Sequence, residues 1–154
     1  MNEEQHNQRV TVVKDYFRKL DSGDSSMMDL LTDDIQIYFP KFGVGYGKAE
    51  VARAAQGMMS TLQKIEQDFE RMNILVAGDH IVVEGFESGI SANGTPWPVK
   101  GRSEGRYCNV FQFDGLKIKR LHIYADPDFD STHEERFLWP AVGMTRSGDI
   151  RLVK

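Results

Sequence analysis

Apolar residues recur at helical spacing in three segments of the first 62 residues. They predict an amphipathic helix over residues 3–20, a short second helix over 25–31 that begins at a serine cap, and a third helix over 48–62. In the first helix the apolar positions are Val10, Val13, Phe17 and Leu20. Each stripe is typical of a helix that packs on a core.

The pattern then changes to strands. A strand is predicted over 35–39, where Pro40 ends it, and two longer ones over 65–76 and 80–90. The glycines at 43, 45 and 47 lack the flanking elements of a phosphate-binding loop, so we interpret 43–47 as an ordinary loop.

The strongest short-range signal is a hairpin over residues 102–126. Asp114-Gly115 between runs rich in Val, Ile, Phe and Tyr predicts two antiparallel strands joined by a tight turn. By alternation, one face of the first strand carries Tyr107, Asn109, Phe111 and Phe113. An asparagine among large aromatic side chains on a core-directed face suggests a lined cavity.

Helices followed by runs of strands predict an α+β fold in which helices cover one face of a curved sheet. We expect a single domain over 1–142, including a short helix over 132–139 that starts at a capping box. Residues 95–98 are predicted to form a stiff connection, because neither proline donates to a ladder, and this loop is expected to overhang the pocket or a neighbour. The tail over 143–154 has few apolar anchors and is predicted to be mobile.

Composition and charge limit the classes of function that the chain can have. The chain has 154 residues and a net charge of -4, which gives no electrostatic footprint for nucleic acid. The polar, acidic N-terminus lacks the features of a signal peptide, and no apolar run is long enough to span a membrane, so we expect a cytoplasmic protein. The single cysteine, Cys108, forms no internal disulfide, and no His, Cys or acid spacing is typical of a metal site. No metal or cofactor is therefore expected.

Glu87 is the first candidate for chemistry. If residues 83, 85 and 87 share the inward face of their strand, burial raises the pKa of the Glu87 carboxyl and suits it to general acid–base work. A register shift of one residue instead turns Glu84 or Phe86 inward. Tyr16, Tyr107 and Asn109 are candidate polar groups of the same cavity, and Tyr16 and Asn109 each have a structural alternative in which they bond only within the fold.

Four segments resemble the nuclear transport factor 2-like superfamily, which includes ketosteroid isomerase, limonene-epoxide hydrolase, scytalone dehydratase and SnoaL-like polyketide cyclases. The similar segments lie at 16–24, 31–40, 46–48 and 109–126. The resemblance spans about residues 10–129. It implies a curved, mainly antiparallel sheet wrapped around helices to form a cone-shaped cavity, a cystatin-like α+β barrel. Because this fold hosts enzymes and non-enzymes, it leaves the reaction open.

The resemblance to ketosteroid isomerase implies an oxyanion hole from Tyr16 and Asn109, the latter at the position of a protonated Asp. Phe39 occupies the position of the catalytic base, and a phenyl ring takes no proton. The chain is therefore not expected to be a steroid isomerase of that mechanism. Phe39 and Phe111 are instead expected to line the substrate cavity.

Two other branches give partial matches. In limonene-epoxide hydrolase an Asp-Arg-Asp trio is catalytic, and the matching positions here hold Glu87, Gly85 and Ile123. In the polyketide cyclases a late Asp serves as acid or base, and Asp126 is the nearest match. These matches favour a cofactor-independent isomerase, cyclase or hydrolase that uses Glu87 or Asp126 on an apolar, carbonyl-bearing or polycyclic molecule. The alternative is a non-catalytic module for an apolar ligand or for dimerisation.

The outer face of the sheet, which points away from the predicted cavity, is predicted to be polar and aromatic. It carries Arg106, Gln112, Arg120, His122 and Tyr124. His80 also falls on the outward side by alternation. In the superfamily such a face often pairs two subunits, so the resemblance implies a homodimer.

Overall fold

Two α-helices, two 3₁₀ segments and eight strands form the part of the chain that the structure, a computed structural model, describes: residues 3–40, 42–99 and 105–125. In chain order these are α1 (Glu3–Ser22), a 3₁₀ segment (Ser25–Leu30), β1 (Leu31–Phe39), β2 (Gly43–Tyr46), α2 (Lys48–Met59), β3 (Leu62–Gln67), a second 3₁₀ segment (Phe69–Arg71), β4 (Asn73–Ala77), β5 (His80–Ser91), β6 (Pro96–Trp97), β7 (Arg106–Asp114) and β8 (Lys117–Ala125).

The strands form one curved sheet in the order β2-β1-β8-β7-β5-β3. Every neighbouring pair is antiparallel except β1 and β8. The twelve-residue β5 is central, because its first half pairs with β4 and β7 and its second half with β3 and β6. The expected α+β class with a mainly antiparallel curved sheet is confirmed.

Helix α1 packs its apolar stripe on the concave face of the sheet. Phe17 is fully buried and makes edge-on ring contacts with Tyr16 and with Phe111 of β7, at centroid separations of 5.3 and 5.8 Å. Burying one such ring contributes about 1.5–3 kcal/mol, and the edge-on geometry adds to that. This aromatic cluster fixes the helix over the middle of the sheet.

The predicted single strand over 65–76 is wrong. Asp68 interrupts it, because its carboxylate accepts hydrogen bonds from the backbone N–H groups of Glu70 and Arg71 and so caps a 3₁₀ turn. The two halves become β3 and β4, which pair with different ends of β5. The strand breaks here because this carboxylate competes with the ladder for backbone donors.

Other element boundaries also shift. Helix α2 ends at Met59, so that Leu62 begins β3, and the predicted second helix is a 3₁₀ segment. Residues 43–46 are not a loop but strand β2, which pairs with β1. The hairpin is present, although its two turn residues are Gly115 and Leu116, with Asp114 paired to Lys117.

Several predictions lie outside the described residues. These concern Asp126, the helix over 132–139 and the tail over 143–154. Within the described part, neither helix is both long enough and apolar enough to cross a membrane.

Candidate functional site

An interior cavity lies between the first helix and the concave face of the sheet. Most of its wall is apolar and consists of Phe17, Leu20, Phe39, Met58, Leu62 and Ile65. The polar or amphipathic part consists of Tyr16, Gln67, Glu87, Trp97, Tyr107 and Asn109. Ile123 and Ala125 of β8 complete the lining. Apolar walls with a few convergent polar groups are typical of small-molecule sites.

The cavity is narrow. The cavity volume is about 30 Å³, and a cavity of roughly 10–15 Å³ on the same measure holds one water. A polycyclic molecule therefore requires side chains of the wall to move. Met58 is suited to this because its unbranched chain changes rotamer easily.

Glu87 is placed at the cavity by the alternation of β5. Val83 and Gly85 are buried on the same face, and the partly buried Glu87 lines the cavity. Burial raises the pKa of its carboxyl to about 7, with a further rise from the negative charge of Asp21 and an opposing effect from the hydrogen bond of Gln67. A carboxyl with this pKa exchanges protons readily at neutral pH.

Gln67 and Asp21 are site residues that the sequence patterns did not single out. Nε2 of Gln67 donates to Oε2 of Glu87 at 3.2 Å, across the β3–β5 pair. The backbone N–H of Gln67 donates to Oδ2 of Asp21 at 3.0 Å. Asp21 was interpreted only as part of the helix end, and strand alternation from Ile65 was the one signal that Gln67 turns inward.

Two tyrosines face the same carboxyl. Burial and the nearby Glu87 charge raise the pKa of both Tyr16 and Tyr107, so their hydroxyls remain protonated donors at physiological pH. The Tyr107 hydroxyl lies against Gly85, where an added Cβ would come within 2.3 Å of it. A residue other than glycine at 85 would displace this ring.

Asn109 lies beside these groups on β7 and is buried. Among the described residues, no partner bonds its Oδ1, the Tyr107 hydroxyl or Oε1 of Gln67. Buried polar atoms in proteins are usually bonded. Three unpartnered atoms on cavity-lining side chains are therefore notable, and a polar ligand can bond them.

The remaining predicted site residues differ in whether they line the cavity. Phe39 lines the cavity, whereas Phe111 is fully buried in the aromatic core beside Tyr16 and does not line it. Trp97, in the connection expected to overhang the pocket, is buried in the wall. Asp126 lies outside the described residues.

The outer sheet face holds a different polar cluster. Nε2 of His122 lies 2.9 Å from Oε1 of Gln36, and the His122 ring lies 5.5 Å from the ring of Tyr38. The Arg120 guanidinium lies 3.1 and 3.0 Å from the two ring nitrogens, and because it only donates, it bonds the nitrogen that carries no proton. Partial burial and the Arg120 charge lower the pKa of His122. Because this face points away from the cavity, His122 is separated from the site by the sheet.

Metal ligands do not gather anywhere in the described segments: within 3–40, 42–99 and 105–125, no three His, Cys, Asp or Glu side chains form a cluster that could hold an ion.

The fold is shared with solved structures of nuclear transport factor 2-like proteins. The profile of the SnoaL-like domain matches residues 13–121, so the chain belongs to the SnoaL-like family. No curated protein matches it in a sequence search.

Solved structures share the fold at low sequence identity. An NTF2-like protein from Anabaena variabilis has 19% identity and a TM-score of 0.67, with 84% of this chain and 96% of that chain covered. A proposed polyketide cyclase from Xanthomonas campestris pv. campestris has 16% identity and a TM-score of 0.67, with coverages of 79% and 93%. TerC, co-crystallised with polyporic acid, has 14% identity and a TM-score of 0.65, with coverages of 77% and 92%.

Proposed function

We propose that this chain is a cofactor-independent enzyme in which Glu87 moves a proton on an apolar, carbonyl-bearing or polycyclic substrate. The observation that carries the proposal is the Glu87 carboxyl in a mostly apolar cavity, with a pKa raised to about 7. The reaction class is an isomerisation, cyclisation or hydrolysis. A small ligand in TerC and the polyketide cyclase assignment of another structural neighbour support a small-molecule substrate of this kind.

The proton transfer follows from the residues present. The Glu87 carboxylate takes a proton from the carbon next to a carbonyl, and the C–H electron pair becomes the enolate, with negative charge on oxygen. Hydroxyls of Tyr16 or Tyr107, or the amide of Asn109, donate to that oxygen as charge develops. In an isomerisation the protonated Glu87 returns its proton to another carbon, and in a cyclisation the enolate carbon bonds a second carbonyl carbon, whose oxygen takes the proton. In a hydrolysis the Glu87 carboxylate instead takes a proton from the attacking water and gives it to the leaving oxygen. Asp126 is the second acid candidate of this proposal.

The direct test is exchange of carbon-bound hydrogen in D₂O, followed by NMR, for a panel of enolisable cyclic ketones. Glu87→Gln should slow exchange by about 10²–10⁴-fold, the usual contribution of a positioned acid–base group. The matched control is Glu84→Gln, because Glu84 is an exposed acid on the same strand that bonds Asn73. Equal rates in the wild type and Glu87→Gln would contradict the role of Glu87.

A second candidate function is non-catalytic binding of an apolar ligand. Phe39 in the wall favours it, because it stands where the ketosteroid isomerase resemblance places a base. Calorimetric titration with polyporic acid distinguishes the two functions. Binding that persists in Glu87→Gln, together with no exchange on any compound of the panel, would support the binding module.

We also propose that two copies pair through the outer sheet face. Apolar side chains are exposed there or on the adjoining β1–β2 edge: Tyr124 is 48%, Val44 52% and Tyr46 66% exposed. Arg106→Glu combined with Tyr124→Ala should raise the monomer fraction in sedimentation velocity. Leu116→Ala, at the exposed hairpin turn, is the control, and an unchanged mass of the double variant would argue against this interface.

A further inference from the structure

Gln67 separates the interior cavity from an open groove on the surface. The groove is lined by Arg18, Asp21, Lys64, Glu66, Asp68 and Phe69. Gln67 itself lines both the groove and the cavity. Its buried side chain is therefore the contact between Glu87 and the solvent-facing side.

A residue of helix α1, outside the sheet, bonds the backbone of Gln67. Its N–H donates to Asp21, which lies in the last turn of α1. A carboxylate at a helix C-terminus is unfavourable for the helix dipole. Asp21 thus contributes little to its own helix, and its observed bond instead fixes the end of β3 beside β5.

Only the nitrogen end of the Gln67 side-chain amide has a hydrogen-bond partner among the described residues. Nε2 donates to Glu87, whereas Oε1 is buried and has no partner among the described residues. An ionised carboxylate only accepts hydrogen bonds, but a protonated carboxyl also carries an O–H that donates. In the protonated state of Glu87, the Oε1 atom becomes the matching partner once the amide turns about its last torsion.

We propose that Gln67 is a positioning residue whose amide reverses with each proton transfer at Glu87, donating to the carboxylate and accepting from the acid. This inference rests on the proposed proton-transfer role of Glu87. An amide serves both states because it has a donor end and an acceptor end and carries no charge.

The other groups around Glu87 are consistent with an uncharged partner. Asp21 and Tyr16 face it from α1, and Tyr107 faces it from β7. The described residues that line the cavity include no Lys or Arg. A cation at position 67 would hold Glu87 ionised, whereas glutamine leaves both protonation states accessible near neutral pH.

The test follows the Gln67 amide of the wild-type protein by NMR while Glu87 is titrated. On protonation of Glu87, the Nε2 hydrogens should move upfield as they lose their acceptor. The Cδ signal should move downfield as Oε1 gains a donor. Both changes should share the midpoint of Glu87 and vanish in Glu87→Gln. A Cδ signal that stays constant through the titration would overturn the reversal.

A variant supplies the second readout. Gln67→Met keeps the length of the side chain and removes both ends of the amide, so the pKa of Glu87 should rise by about one pH unit as the carboxylate loses its donor. Gln63→Met is the control, because Gln63 is exposed on the same strand and bonds Ala92. An unaltered Glu87 pKa in Gln67→Met would overturn the positioning role.

The outcomes separate this inference from the proposed function. Loss of exchange in Glu87→Gln with an unresponsive Gln67 amide would support the proposed enzyme and reject the reversal of the Gln67 amide. A responsive amide without exchange on any compound would retain the hydrogen-bond reversal but reject a positioning role in catalysis.

Discussion

The inward face of β7 contains two regions that differ in chemistry. Phe111 and Phe113 are fully packed against the first helix and neighbouring strands. Tyr107 and Asn109, on the same face of the same strand, line the cavity and carry unpartnered polar atoms. One end of the strand therefore stabilises the fold, and the other holds polar groups where a ligand can bond them.

The difference shows what burial alone does not distinguish. All four side chains are buried, yet two fill space completely and two border a void. A void beside unbonded polar atoms costs stability, since contacts and hydrogen bonds are both lost. We expect such a cost to be kept where binding or chemistry needs it.

The largest effect should come from the packed end. Phe111→Ala should lower the free energy of unfolding by about 3–5 kcal/mol, because it removes a buried ring and leaves a cavity in the aromatic core. Denaturant unfolding measures this. Val110→Ala, on the opposite face of the same strand, is the control with a smaller loss. Similar losses in the two variants would contradict the distinction between a packed core and the outer face.

The next effect concerns Glu87 at the cavity end. Its pKa is about 7 in the native state against an ordinary value of 4.5, so the native state binds the proton more tightly. The stability from this proton is fully present below pH 4.5 and is lost as the pH rises through about 7. The glutamine in Glu87→Gln does not titrate. At pH 8 the free energy of unfolding of this variant should therefore exceed that of the wild type by up to about 3 kcal/mol.

The check is the free energy of unfolding from pH 4 to pH 8 for both proteins. Their difference should grow with pH. This comparison also isolates Glu87 from Asp21, whose pKa burial raises as well, because Asp21 is present in both proteins. A constant difference across the range would show that Glu87 is not desolvated.

The fold could be predicted from the sequence because the signals for it are local and repeated along the chain. Helical spacing located α1, and Asp-Gly between β-rich runs located the β7–β8 hairpin. The break at Asp68 was not predicted, because one carboxylate that caps a turn looks like any polar residue of a solvated strand face. The paired β2 was not predicted either, since a strand with two glycines in four residues carries little β signal.

The candidate site was predicted only in part. Alternation assigned Glu87, Tyr107 and Asn109 to inward faces, and the structure places all three at the cavity. Alternation gives the face but not the depth, so it did not separate Phe111 from the cavity wall. Asp21 and Gln67 meet through a contact 46 positions apart, which no local pattern encodes.

A smaller effect tests the contact that shapes the cavity end. In Gly85→Ala the new Cβ would come within 2.3 Å of the Tyr107 hydroxyl, so the ring must shift. We expect a loss of about 1–3 kcal/mol in the free energy of unfolding, typical of overpacking. A double-mutant cycle with Tyr107→Leu should recover part of this loss, because the smaller side chain leaves room. Strict additivity would place the strain elsewhere.

The smallest effect should be a gain in the free energy of unfolding. Tyr107→Phe removes a buried hydroxyl that has no partner among the described residues, so it should raise the free energy of unfolding by about 1 kcal/mol. The same hydroxyl is a candidate donor to the substrate oxygen, so hydrogen exchange on the ketone panel should slow while stability rises. Denaturant unfolding and the D₂O assay, run on one preparation, measure both. A loss of stability would mean that the hydroxyl is bonded within the fold, and Tyr107 would then belong with Phe111 in the packed region rather than with Asn109 at the site.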